Sequence, residues 1–136
     1  MRKVEFFIPL KRIPTTTHQM KRVTVKNGKP VFYESDNIKA ARSLFRAHLI
    51  KTKPKEELTG AVRLITKWCF PPKAGLSGLV PIYKITKPDT DNMVKLLKDE
   101  MTHCGYWADD AQVASEITEK FYSEPTGIYI KAEEIR

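Results

Sequence analysis

Apolar positions recur along the chain with two different periods, and the changes of period mark its elements. Val4 to Ile8 form a short apolar run closed by Pro9, which cannot donate to a β ladder, so a first strand is predicted there. Val23-Thr24-Val25 and Val31-Phe32-Tyr33 flank Asn27-Gly28. Both central residues of a type I′ turn need positive φ, so this pattern predicts a hairpin. Ser35 or Asp36 can cap a helix in which Ile38, Ala41, Leu44, Phe45, His48 and Leu49 recur at steps of three and four. Ala61 to Phe70 alternates instead, with Val62, Leu64, Thr66 and Trp68 on one face, and Pro71-Pro72 ends it.

The stretch through Gly75, Gly78 and Pro81 has neither period and is predicted to be a long loop, a feature that in small domains is often functional. Asp89 to His103 reads as a second helix, with Met93, Leu96, Leu97 and Met101 as its apolar face and Gly105 placed to end it. From Gln112 the alternation returns: Val113, Ser115, Ile117, Glu119 and Phe121 oppose Ala114, Glu116, Thr118 and Lys120. Gly127 to Ile130 supplies a final strand, and a turn near Glu124-Pro125-Thr126-Gly127 predicts that these last two strands pair antiparallel. Trp68 and Trp107 are expected in the core, as aromatic anchors rather than base-stacking platforms.

At 136 residues and 41% hydrophobic content, one domain spanning 1–136 is expected. Cys69 and Cys104 lie in no metal-binding or CxxC spacing, which implies reduced thiols and a cytoplasmic setting. The first apolar run is too short for a signal peptide, and no stretch is long enough to span a bilayer, so no membrane partner is expected. Charge divides the chain: residues 1–55 carry 14 Lys/Arg against three acids, and residues 56–136 carry 10 against 13. A basic half suits a polyanion, because each neutralised phosphate releases counterions. The hairpin and first helix concentrate Lys21, Arg22, Lys26, Lys29, Arg42 and Arg46, the candidate DNA-gripping set.

The acidic half holds Lys87-Pro88-Asp89-Thr90-Asp91-Asn92 and, one helix later, Trp107-Ala108-Asp109-Asp110. Residues two apart diverge by about 200° within a helix. A capping residue is non-helical and can swing back, so Asp89 and Asp91 could share one hard cation; solvated capping acids are the plainer reading. A third carboxylate, from Asp109 or Asp110, requires the chain to fold back along a helix of roughly 22 Å. Three carboxylates 4 Å apart repel by about 4 kcal/mol per pair at an effective dielectric near 20, so such a cluster needs a compensating cation. An all-oxygen set suits Mg²⁺ or Mn²⁺, which promotes phosphodiester hydrolysis. Lys95, four residues after Asp91, lies on the same helix face.

Lys87-Pro88-Asp89-Thr90-Asp91-Asn92-Met93-Val94-Lys95, then Asp99, then Gly105-Tyr106-Trp107-Ala108-Asp109-Asp110-Ala111-Gln112-Val113 resembles the RusA family of Holliday-junction resolvases in order, identity and spacing. The resemblance implies a small homodimeric α/β (α+β) enzyme, with a mixed sheet and two main helices, that nicks opposed strands of four-way DNA using Mg²⁺. It also implies a bacterial, phage or prophage origin. Position by position, Asp89, Asp91 and Asp110 match the family's essential acids, Lys95 its catalytic lysine and Asp109 the neighbouring acid, to which we assign a supporting role. Two rivals accompany it: a metal nuclease for other branched DNA, and a non-catalytic DNA-binding module. Where family members carry a Pro-Pro-Ser-x-Asn-like segment, Ile13-Pro14-Thr15-Thr16-Thr17-His18 stands here, and Lys73 to Pro88 is longer than the corresponding loop.

Overall fold

The computed structural model describes residues 1–15 and 21–136, the side chains of Lys21, Arg22 and Phe32 excepted. In chain order the elements are β1 (Lys3–Pro9), β2 (Lys21–Lys26), β3 (Lys29–Glu34), α1 (Asp36–Thr52), β4 (Ala61–Phe70), β5 (Ile82–Tyr83), α2 (Thr90–His103), a 3-10 turn (Asp110–Gln112), β6 (Val113–Tyr122) and β7 (Gly127–Ile135). β2 and β3 form the expected hairpin, with φ of 53° at Asn27 and 75° at Gly28. The other strands make one sheet in the order β1-β7-β4-β6-β5. It is mixed, because β4 and β6 run parallel while its remaining pairs are antiparallel. Two helices and a mixed sheet give the α+β class.

The antiparallel pairing expected between the last two strands is not formed: β4 lies between β6 and β7 and bonds to both. Every second residue of β4 from Val62 to Phe70 is buried, so this strand takes the centre of the sheet, where both of its edges are paired. The link from β6 to β7 crosses the end of β4, and there the Ser123 N–H donates to the Phe70 carbonyl at 3.0 Å. The loop before α2 also contains one short edge strand, β5, which the aperiodic sequence did not reveal.

The helices cover one face of the sheet. Ser35 caps α1 by accepting from the Ile38 N–H at 3.3 Å, and Ile38, Ala41, Phe45 and Leu49 are buried. α2 buries Met93, Val94, Leu96, Leu97 and Met101, and each such side chain contributes about 1.5–3 kcal/mol on leaving water. Trp68 and Trp107 are both fully buried. α2 stops in a Schellman turn: Tyr106 N–H donates to the Met101 carbonyl and Gly105 N–H to that of Thr102, with Gly105 at φ 86°.

A buried carboxylate joins the helices. Glu100 is fully buried on α2 and receives Arg42 at 3.1 Å and Arg46 at 2.8 Å from α1. Arg42 also contacts Glu34 at 2.8 Å and Asp99 at 3.5 Å.

β6 carries a register shift against β4, where Val62 faces Val113 but Arg63 faces Ser115. The extra residue returns the strand with its other side inward, so Glu116, Thr118 and Lys120 align with Leu64, Thr66 and Trp68 on the helix-covered face. This polar row meets α2 and the turn before it. Lys98 of α2 pairs with Glu116 at 3.3 Å, and Lys120 reaches the Pro88 carbonyl at 2.6 Å. α2 and β6 therefore run antiparallel to one another.

Removing the buried carboxylate leaves two guanidinium groups without their shared partner. Glu100→Ala is expected to lower stability by about 3 kcal/mol in urea unfolding, with the α1–α2 contact loosened.

Candidate functional site

The first half of the acidic constellation is held at the start of α2. Pro88 is buried, and Asp89 follows as N-cap in an extended conformation, its carbonyl accepting the Met93 N–H at 3.1 Å. The Asp89 carboxylate makes no capping bond, and Asp91 lies exposed in the first turn. Among the described residues neither carboxylate has a hydrogen bond or ion pair, so all four oxygens are available to a cation. Asp89 lines a cavity of about 470 Å³ with Thr15, Lys87, Pro88 and Asn92. Thr15 brings the described part of the altered segment after β1 to the mouth of the site; Thr16 to His18 lie outside the described residues. Lys95 is exposed one turn beyond Asp91.

The second half sits at the opposite end of the same helix. After the Schellman turn, the buried Trp107 donates its indole N–H to Thr102 Oγ1 at 2.8 Å. Asp109 caps the 3-10 turn, its Oδ1 accepting the Ala111 N–H at 2.8 Å. Gln112 Oε1 accepts the N–H groups of Ala108 and Asp109 at 2.9 and 3.1 Å. Its Nε2 donates to the Leu58 and Gly60 carbonyls at 3.1 and 3.0 Å. These bonds anchor the exposed Asp110 in a shallow hollow with Asp99, Thr102, His103, Ala108 and Asp109.

The structure thus brings Asp89 and Asp91 to one end of α2 and leaves Asp110 at the other. The helix has 14 residues and so spans about 21 Å. Among the described residues no three His, Cys, Asp or Glu side chains gather where one metal ion could be held. The sequence reading required the chain to double back; it does so as β6, but β6 begins beside the last turn of α2 with Asp110 already passed. Asp89 and Asp91 are carboxylates of the donor type that a hard divalent cation takes, and one chain could offer two such ligands at this helix start.

The basic residues separate as well. Lys26 and Lys29 are exposed on the hairpin, while the side chains of Lys21 and Arg22 lie outside the described residues. Arg42 is corrected: its side chain is 18% exposed and surrounded by carboxylates, so it holds the helices together rather than facing DNA. Burial disfavours its charge, yet hydrogen bonds to Glu34 and Glu100 outweigh that and raise its pKa. Arg46 is half exposed and shares Glu100.

Sequence reasoning gave no task to Glu100, Gln112 or Lys120. A glutamine two residues after an acidic pair, with a capping aspartate before it, is a capping-box signal that was open to recognition.

Residues 12–133 match the family model described as Endodeoxyribonuclease RusA. The chain belongs to the RusA endodeoxyribonuclease family. It is 32% identical over 135 residues to the crossover junction endodeoxyribonuclease rusA of Lactococcus phage r1t, covering 98% of this chain and 99% of the phage protein. It is also 29% identical over 125 residues to the uncharacterised protein YqaN of Bacillus subtilis strain 168, covering 84% and 86% of the two chains. Among the described residues no helix is long and apolar enough to cross a membrane. The acid pair Asp109-Asp110 divides into a capping residue and one that has no hydrogen bond or ion pair among the described residues. Asp109→Ala is therefore expected to cost about 1 kcal/mol in thermal or urea unfolding, as loss of a cap does. Asp110→Asn should stay within about 0.5 kcal/mol of the parent.

Proposed function

We propose that this protein is a Mg²⁺-dependent endonuclease that resolves four-way DNA junctions by paired nicking, in DNA recombination and repair, and that it works as a homodimer. The observation that carries the reading is the placement of free carboxylates at both ends of one helix. Two copies related by a twofold axis across α2 set the helices antiparallel. Asp89 and Asp91 of one copy then lie beside Asp110 of the other, twice over, because a twofold interface presents the same surface on both sides. Membership in an endodeoxyribonuclease family, and similarity along nearly the whole chain to a phage crossover junction endodeoxyribonuclease, support the same reading.

Asp89, Asp91 and Asp110 are the residues that would hold Mg²⁺, with Mn²⁺ able to replace it. When bound, the ion supplies Lewis acidity for attack of water on the phosphodiester and for charge on the leaving oxygen. The chain's own groups do the rest. Lys95, on the exposed side of α2 one turn from Asp91, places an ammonium where it offsets phosphate charge. Asp109 keeps Asp110 at its post through the capped turn. Lys21, Arg22, Lys26 and Lys29 on the basic hairpin grip duplex arms through phosphates, which gives affinity without sequence preference. Junction selectivity comes from the symmetry of two sites addressing two symmetric strands.

A nicking assay on synthetic junctions tests the reading. The parent protein should cut opposed strands in Mg²⁺ and not in EDTA, and should cut flaps and plain duplex less well. Asp91→Asn should reduce cutting by at least about 10³-fold, in keeping with the loss of several kcal/mol of transition-state stabilisation. It should keep junction binding, because it removes repulsion toward phosphate. Full cutting by that variant in Mg²⁺ would defeat the proposal.

A further inference from the structure

The polar row on β6 ends in a lysine that, among the described residues, contacts no acid of the candidate site but bonds to the backbone of the turn that leads into it. Lys120 Nζ donates to the Thr86 carbonyl at 2.6 Å and to the Pro88 carbonyl at 2.6 Å. Both are short, charge-assisted bonds. Lys120 is half buried and lies on the helix-covered face of the sheet, aligned with the fully buried Trp68 of β4. Its own carbonyl accepts the Lys84 N–H at 3.0 Å, which ties the strand to the start of the same loop.

We propose that Lys120 is a positioning residue for the metal-ligating carboxylate of Asp89; this rests on the metal-dependent reading above. The Pro88 carbonyl belongs to the same planar peptide unit as the Asp89 nitrogen, so fixing that oxygen fixes the plane from which Asp89 departs. On its other side Asp89 is held by the bond from Met93 N–H to its carbonyl. The Asp89 side chain has no bond of its own among the described residues, so its direction is inherited from these two backbone anchors. A neutral apolar side chain at position 120 would leave the Thr86 and Pro88 carbonyls without this donor. The turn would then sample other orientations, and Asp89 and Asp91 would meet a common cation less often. Groups that orient a metal ligand without touching the metal commonly alter affinity by about 10–100-fold when removed.

The test is direct Mn²⁺ binding to the full-length protein, read from the electron paramagnetic resonance signal of free Mn²⁺. The parent, Lys120→Met, Lys120→Arg and Asp89→Asn proteins are compared, with thermal unfolding measured alongside. Lys120→Met is expected to weaken Mn²⁺ binding by about 10-fold or more while its unfolding remains cooperative. Lys120→Arg, which keeps the charge and donors, should recover part of the loss. Raising Mn²⁺ should restore much of the nicking rate of Lys120→Met, because the ligands themselves are intact; it should not restore that of Asp89→Asn. Parent-like Mn²⁺ affinity in a folded Lys120→Met protein overturns this inference and leaves the nuclease reading standing. Absence of Mn²⁺ binding in the parent, or binding unaffected by Asp89→Asn, overturns both. Should Lys120→Met fail to fold, Lys120→Gln is read in the same way. Failure of that variant to fold as well assigns Lys120 to stability alone and overturns the positioning role.

Discussion

A helix of fourteen residues is a rigid rod, and the chemistry proposed for this molecule depends on what is fastened to its two ends. At its start, after a buried proline, the N-cap Asp89 and Asp91 in the first turn present two carboxylates without partners among the described residues. At its finish, a Schellman turn, a buried tryptophan and a glutamine anchored to two carbonyls present a third. No loop movement brings those ends together, because α2 is packed along its length on β6 and on the sheet core. The chain therefore carries the three acids of the proposed metal site at opposite poles of α2, and the proposed pairing of two copies antiparallel along α2 is the simplest arrangement that joins them.

The rest of the fold keeps that rod in place. The β4–β6 register shift turns a polar row toward α2, so Glu116 meets Lys98 and Lys120 meets the turn before Asp89. Without the shift, Ser115, Ile117 and Glu119 would face inward, and the lysine would point away from the site. On the other flank Glu100 draws Arg42 and Arg46 from α1, which fixes the second helix against the first. Ionic contacts buried this deeply contribute little net stability, yet they are costly to break on one side, which suits a role in alignment.

Local chemistry was legible in the sequence, and long-range pairing was not. Asn27-Gly28, the alternation of β4, the stripe of α1 and the stop at Gly105 each depend on neighbours within a few residues, and each appears in the structure. The pairing of the last two strands failed because Glu124 to Gly127 looks like a hairpin turn, whereas the strongly apolar β4 takes the place between β6 and β7. Arg42 was misjudged for a related reason. Its position on a charged helix face is visible in the sequence, but the three carboxylates around it come from Glu34 and from α2. Of the acids, the start of α2 was readable from Pro88 and the capping pattern. Their separation from Asp110 was not, since it depends on which end of α2 the next strand begins.

Mixing two inactive variants tests the shared site most directly. In the proposed homodimer, Asp91→Asn and Asp110→Asn each damage both sites when present alone, but a mixed dimer has one site with neither change if the ligands come from both chains. Co-refolded mixtures are expected to nick four-way junctions in Mg²⁺, at a rate approaching one active site per mixed dimer, while either variant alone stays inactive. Mixtures as inactive as the separate variants, with mixed dimers confirmed by mass spectrometry, would contradict the account.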